Sequence, residues 1–415
     1  MTGASITRAP PGLLDEIVIE ILIRLPVKSL VRFKSVSRTW RALISSEFFI
    51  RAHLEQSSSA SSKQRGPSFL VTLHALPHPG ETQPTPFSTH FRFYQWRPGG
   101  TGGDDIANNK QAAAPLVYET DLVGNQYSRL RRFFAHCDGL VLAPTDAKLY
   151  LFNPATRDAV ALPNNDGILP LQRGGYFPYA AGLGLDPKTG KYKVVRLFYR
   201  WLDYSNRTYR LGMEVFTVGE ESGGGAWREM ATDPPYSVDP WQTAVTVKGF
   251  MFWHMDRTRG DRGLLRLGLA DEKFRVVELP DALDPAADMM LDAVHGDELC
   301  LTDRRTGVDP AYGTVTMWVM SSRDGYSRWE RRYTIQASDV CHPMGLVPHD
   351  DGGGGLVSLR RGYELYRYDW ESTEELNVEC RMDRMRYQER RARTWKNMFR
   401  LNVKPYTESL VPVTV

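Results

Sequence analysis

Apolar positions recur at helical spacing between Leu13 and Gln56, whereas beyond Phe69 they fall in short runs broken by Gly, Pro, Asp and Asn. In the first stretch the polar residues Glu16, Glu20 and Arg24 come every fourth position and form one narrow stripe. Leu14, Ile17, Val18, Ile19, Ile21, Leu22, Ile23 and Leu25 fill the rest of the circumference. Pro10, Pro11 and Gly12 block an earlier start, Asp15 offers a cap, and Pro26 ends this helix and suits the start of the next. A short second helix is predicted from about Val27 to Lys34, with Leu30 and Phe33 on one face. Trp40, Leu43 and Ile44 have the spacing of a third. Ser46 can cap a fourth, with Phe49, Ile50 and Leu54 inward.

Three or four short helices bury little surface by themselves. Each Leu or Ile left in water forfeits roughly 1.5–3 kcal/mol. An uncovered apolar face of this size marks an interface. The other reading is that the face docks on the β-rich region. Residues 57–68, Ser-rich and without periodicity, read as a linker and argue for loose attachment.

From Phe69 the chain repeats a strand–turn–strand unit. Gly139 to Leu142 with Leu149 to Thr156 is echoed by Gly249 to Trp253 with Leu264 to Asp271. A second echo joins Met213 and Trp227 to Met317 and Trp329, and units also end at Leu162-Pro163 and Leu279-Pro280. A period of about fifty residues is that of a four-stranded propeller blade. The expected class is therefore α+β and multidomain: a small helical domain over 13–56, a linker over 57–68, and an all-β propeller of six or seven blades over 69–415. A pair of β-sandwiches is the alternative, since period alone does not prove radial closure.

The helical segment resembles the F-box. The match lies in Ile21, Leu22, Arg24, Leu25, Pro26, Val27, Lys28, Ser29, Leu30, Arg32, Phe33, Val36, Arg38 and Trp40. It departs from the family at Leu13-Leu14, where Leu-Pro is usual, and at Ser37, where Cys is common. The β-rich region resembles the F-box-associated domain of plant F-box proteins, through His136 to Leu142, Phe152 to Arg157, Gly182 to Val195, Trp253, Asp271 to Phe274 and Met317 to Met320. Tyr406 to Val411 matches that domain's closing strand. The resemblance implies a Skp-type adaptor as partner and, through it, a cullin scaffold. It also implies a role as substrate receptor of an SCF ubiquitin ligase, with an unidentified protein as target. By position, Leu13, Leu14, Ile21, Leu22, Leu25, Pro26, Leu30, Val36, Trp40, Leu43 and Ile44 are the F-box residues, some building the helical core and some touching the adaptor. An acidic residue at Leu25 or Leu30 is expected to abolish adaptor binding with the propeller still folded. For target binding, the loop carrying Tyr199, Arg200, Trp201, Tyr204, Arg207 and Tyr209 is the richest in exposed-type anchors. It can equally be an extended hairpin packing its own aromatics. An interaction protein that delivers no substrate, or a propeller enzyme with a helical appendage, are the rival readings.

Composition narrows the field further. A formal charge of +3 over 415 residues gives little reason to expect nucleic acid. No apolar run approaches the roughly 20 residues of a membrane span, and no targeting segment is visible. The four cysteines are scattered without metal-ligand spacing, so they read as reduced thiols of the cytoplasm or nucleus, and no cofactor is expected. His136 and Cys137 are adjacent on a strand and point to opposite faces, which argues against a catalytic pair. The Asn153-Pro154-Ala155-Thr156 and Asp186 to Gly190 stretches read as turn chemistry. Residues 381–404 carry nine Arg or Lys against two acids, and the spacing of Trp395 and Phe399 predicts a short amphipathic helix.

Overall fold

The computed structural model describes residues 15–63, 68–75, 87–88, 90–97, 113–121, 127–128, 134–145, 148–163, 180–203, 208–219, 225–239, 242–257, 260–283, 288–294, 298–305, 313–323, 326–337, 341–348, 355–361, 364–369, 377–381, 386–388 and 398–413. Four helices lead: α1 (Asp15–Ile23), α2 (Val27–Phe33), α3 (Arg38–Ser45) and α4 (Glu47–Lys63). The Ser-rich stretch expected as a linker is helical as far as Lys63 and continues α4. Serine costs only a few tenths of a kcal/mol against alanine in a helix, and extending a formed helix needs no new nucleus.

The remaining elements are strands. Among the described residues, five four-stranded antiparallel sheets follow in chain order, each pairing its strands consecutively. The first blade comprises Ala135–Cys137, Leu140–Pro144, Leu149–Asn153 and Asp158–Ala161. The second comprises Ala181–Leu185, Tyr192–Asp203, Thr208–Thr217 and Arg228–Glu229. Val245–Val247, Phe250–His254, Leu264–Gly268 and Phe274–Val277 form the third. The fourth and fifth start at Asp288 and Cys341. A further sheet of different make joins the two ends of the β region: Phe69–Ala75 lies between His90–Trp96 and Met398–Pro405. Among the described residues the chain thus forms a propeller with five four-stranded blades, closed by this mixed sheet. The six or seven expected from length divided by period overcounts those repeats, because some of the length goes into the closing sheet. Met398–Pro405, expected as part of a helix, is its strand, and Tyr406 to Val411, expected as the closing strand, follows that strand without pairing in a sheet.

The sequence echoes have structural counterparts. Asp138-Gly139 and Lys248-Gly249 sit at equivalent two-residue hairpin turns with φ of 49° and 82°, and 49° and 77°. Both residues of each pair are left-handed, as a turn matched to strand twist requires. The four-residue turns after Asn153, Asp186 and Gly268 close alike, by amide bonds from Arg157, Gly190 and Glu272 back to those residues. The repeated Trp bonds back to the chain leaving the preceding blade, at the Leu-Pro itself in one case and at the residue before it in the other. Trp227 Nε1 donates to the Pro163 carbonyl at 2.6 Å, and Trp329 Nε1 donates to the Glu278 carbonyl at 2.7 Å. Gly182 lets the third blade close on the second: a Cβ there would lie 2.7 Å from both the Ala244 and Met251 side chains.

Candidate partner-binding surfaces

The helical unit is built around Leu22, Val27, Leu30, Ile44 and Phe49, all buried. Ser37 caps α3, its Oγ accepting from the Trp40 amide at 3.1 Å, and Ser46 caps α4 by accepting from Phe49 at 3.2 Å. Phe33 and Trp40 meet edge to face at 5.4 Å. His53 on α4 hydrogen-bonds the Leu25 carbonyl at 2.9 Å and so ties α4 to the α1–α2 turn. Burial lowers the His53 pKa, partly offset by that bond and by the charge of Glu408.

This unit does not stand alone. Leu410 belongs to its core, and Ala155 packs against the same cluster. Ile50 packs both there and on the first-blade cluster of Leu140, Leu142 and Val411. Arg51 lies against the Asp186–Gly190 turn of the second blade, where a Cβ on Gly190 would collide with its guanidinium. The docking of the helices on the β domain, which the expected linker argued against, is therefore real for one face.

The other face stays open. Ile17 and Ile21, one turn apart on α1, are 43% and 49% exposed, and Val31 and Val36 are exposed too. The F-box positions accordingly divide. Leu22, Leu30 and Ile44 are buried in the intrachain core, Leu25, Trp40 and Leu43 are half-buried, and Ile21, Pro26 and Val36 are exposed. Leu13 and Leu14 lie outside the described residues. Leu30→Asp would consequently act through folding of the helical unit, not through a surface contact. Sequence spacing missed Leu410, because a residue so distant in the chain carries no periodic signal.

The second candidate surface is the long hairpin of the second blade, Tyr192–Asp203 with Thr208–Thr217. Trp201 is 53% exposed and pairs in register with Arg210. Arg200 is held by Glu229 and by Asp233, the latter at 2.7 Å, and Arg210 reaches Asp233 at 3.0 Å. The hydrogen bonds of Arg200 to the carboxylates of Asp233 and Glu229 raise its pKa. Burial pushes Asp233 up, but bonds and charge from Arg200 and Arg210 outweigh it and hold its carboxyl below the usual range. Arg200 is thus a strut of the hairpin, whereas Trp201 is presented outward. Tyr199 is half-buried, Tyr209 lies on the returning strand, and Tyr204 and Arg207 fall outside the described residues.

The residues with reactive side chains are buried or half-buried. His136 is half-buried and His254 buried, and both have pKa values lowered to about 4, by burial first and then by the charges of Lys404 and Arg257 respectively. Burial raises the Cys137 thiol, and burial with the charge of Asp292 pushes Cys300 up to about 12. Among the described residues no group of His, Cys, Asp and Glu could hold a metal ion, and no helix is long and apolar enough to cross a membrane.

The class of protein is thus a small helical unit with exposed apolar residues, docked on a β-propeller. Residues 12–51 match the F-box domain, and residues 106–342 match the F-box associated beta propeller domain. The chain belongs to this family of F-box proteins. The Arabidopsis thaliana F-box protein At2g40925 is 24% identical over 385 residues, covering 88% of this chain and 85% of that protein. The Arabidopsis thaliana F-box protein At4g19940 is 24% identical over 316 residues, covering 76% of this chain and 70% of that protein. Likeness to solved structures is weaker: the N-terminal domain of Nup159 is 9% identical at TM-score 0.32, over 76% of this chain and 86% of that chain, too distant to inform function.

Proposed function

We propose that this chain is the substrate receptor of an SCF-type ubiquitin ligase, binding a Skp-type adaptor through α1–α3 and a target protein through the propeller. The observation that carries the reading is the exposure of Ile17, Ile21, Val31 and Val36 on a unit whose opposite face is closed by its own ring. Leaving such side chains in water forfeits free energy that a partner can recover. The receptor itself makes and breaks no bonds. It contributes proximity, raising the local concentration of target near the ubiquitin-loaded enzyme. Work in the cytoplasm, the nucleus or both fits the free thiols of Cys137 and Cys300. The outward Trp201, steadied by the Arg200–Asp233 pair beside it, is the anchor proposed for the target.

The test is co-purification of the full chain with a Skp-type adaptor, wild type against Ile21→Asp with Val36→Asp. The double variant should lose the adaptor while its propeller melts normally. Undiminished binding by the folded variant would sink the assignment. An adaptor-bound chain whose target is captured but never ubiquitinated in a reconstituted ligase would favour an interaction protein over a receptor.

A further inference from the structure

Two sequence motifs of the first blade, fourteen or more residues apart, converge on one irregular segment. His136 lies against Tyr406, the rings tilted by 56° with centroids 5.7 Å apart. Gly139 sits so close to the segment that a Cβ would lie 2.5 Å from the Ser409 hydroxyl and 2.8 Å from the Thr407 carbonyl. Asn153, wholly buried, uses both ends of its amide. Its Oδ1 accepts from Ala155 and Thr156 at 3.1 and 3.3 Å and shapes the local turn. Its Nδ2 donates to the carbonyls of Ser409 at 3.1 Å and Val411 at 2.8 Å. Those two bonds bracket Leu410, whose side chain enters the helical core beside Leu22, Leu30 and Phe49. Val411 turns the opposite way, into the first-blade cluster that also receives Ile50 of α4. Consecutive residues of one strap are thus inserted into two different hydrophobic cores, and the strap backbone is pinned by a side chain of the ring. Glu408 of the same strap bonds Gln95 at 3.0 Å and Arg97 at 3.2 Å on the closing sheet.

We propose that Tyr406–Val411 is an orientation clasp, with Asn153 as its latch, that holds the F-box helices at one fixed angle to the propeller. Asn153, Leu410 and Val411 are then positioning residues. The consequence for ubiquitin transfer rests on the receptor reading above: adaptor and target would be carried at a set spacing. The clasp itself does not depend on that reading. Asn153→Asp removes the donor to both carbonyls and leaves the acceptor that shapes the turn. Leu410→Ala withdraws the side chain from the helical core and leaves both backbone bonds.

The full chain, carrying bioorthogonal dyes at the exposed positions Arg32 and Lys273, is examined by single-molecule energy transfer, and its amide exchange is followed in parallel. The wild type should give one narrow distance. Each variant should broaden it and speed exchange in α1–α3 at least tenfold, while the strands of the third and fourth blades keep wild-type protection. A narrow, unchanged distance in both variants with unchanged exchange would overturn the clasp. So would loss of protection throughout the blades in both, since the segment would then be a general part of the ring core. Failure of the wild type to bind a Skp-type adaptor, with the distance results as expected, would strike the receptor reading alone.

Discussion

Ile21 and Leu22 are neighbours in sequence and have opposite fates. Leu22 is closed into a core shared with Leu410, whereas Ile21 is half exposed and outside that core. Both are aliphatic residues of one nearly all-apolar helix, so side-chain character alone does not separate them. The difference is made by the packing of the helices on one another and by the strap that returns from the far end of the chain. It teaches that the missing polar face of α1 serves two partners, one within the chain and one outside it.

The contrast is broken most forcefully at its buried side. Leu30→Asp places an unpaired charge among Leu22, Ile44, Phe49 and Leu410 and should cost about 3–5 kcal/mol in the helical unit, read by urea unfolding with α-helical signal. Adaptor binding would fall as a consequence of that unfolding.

Acid provides a second lever, acting more on the ring than on the helices. The unfolded chain takes up a proton on each histidine near pH 6.5, whereas the folded chain does so at His136 and His254 only near pH 4. Stability from each is therefore complete above about pH 6.5 and is lost as pH falls toward 4, on the order of 2 kcal/mol per group by pH 5. His53 acts in the same direction for the helices, more weakly, because its bond to Leu25 and the charge of Glu408 oppose the shift. Urea midpoints at pH 7 and pH 5 check this, and His254→Gln should remove part of the ring's acid sensitivity. Equal sensitivity in that variant would count against the buried-imidazole account.

On the open side, Ile21→Asp should change stability by no more than about 0.5 kcal/mol yet weaken adaptor affinity at least tenfold, about 1.4 kcal/mol. Titration of purified adaptor onto the full chain measures it. The smallest effect belongs to Arg24→Ala. Its pair with Glu20, at 2.7 Å, is exposed and one helical turn apart, so thermal unfolding should shift by the equivalent of about 0.5 kcal/mol or less.

Much of this arrangement was legible from residue patterns. The helices begin and end where Pro26, Ser37 and Ser46 place them, and the hairpin turns sit on Asp138-Gly139 and Lys248-Gly249. Trp227 and Trp329, and the Leu-Pro steps that end the preceding units, were visible as echoes, although not as parts of a bond between blades. The Arg200 loop was legible as aromatic and basic. That Arg200 braces the hairpin while Trp201 faces out depends on Asp233, thirty-three residues away, and on the irregularity in strand pairing between Tyr199 and Trp201. The basic stretch misled because apolar residues four apart fit a helix, yet Val71 and its neighbours needed a partner strand at ring closure and drew Met398–Pro405 into the sheet.

What the sequence alone determined was local: where backbone direction changes, which faces are apolar, which family pattern the chain carries. Those properties depend on dihedral preferences and on neighbours within a few residues, and they are written in consecutive letters. The blade count, the closing sheet and the division of α1 between an inner and an outer partner were decided by tertiary structure. Each depends on contacts between residues hundreds of positions apart, such as Asn153 with Ser409 and Leu22 with Leu410. Whether an apolar side chain ends in a core or at an interface is fixed only when the chain returns to cover it.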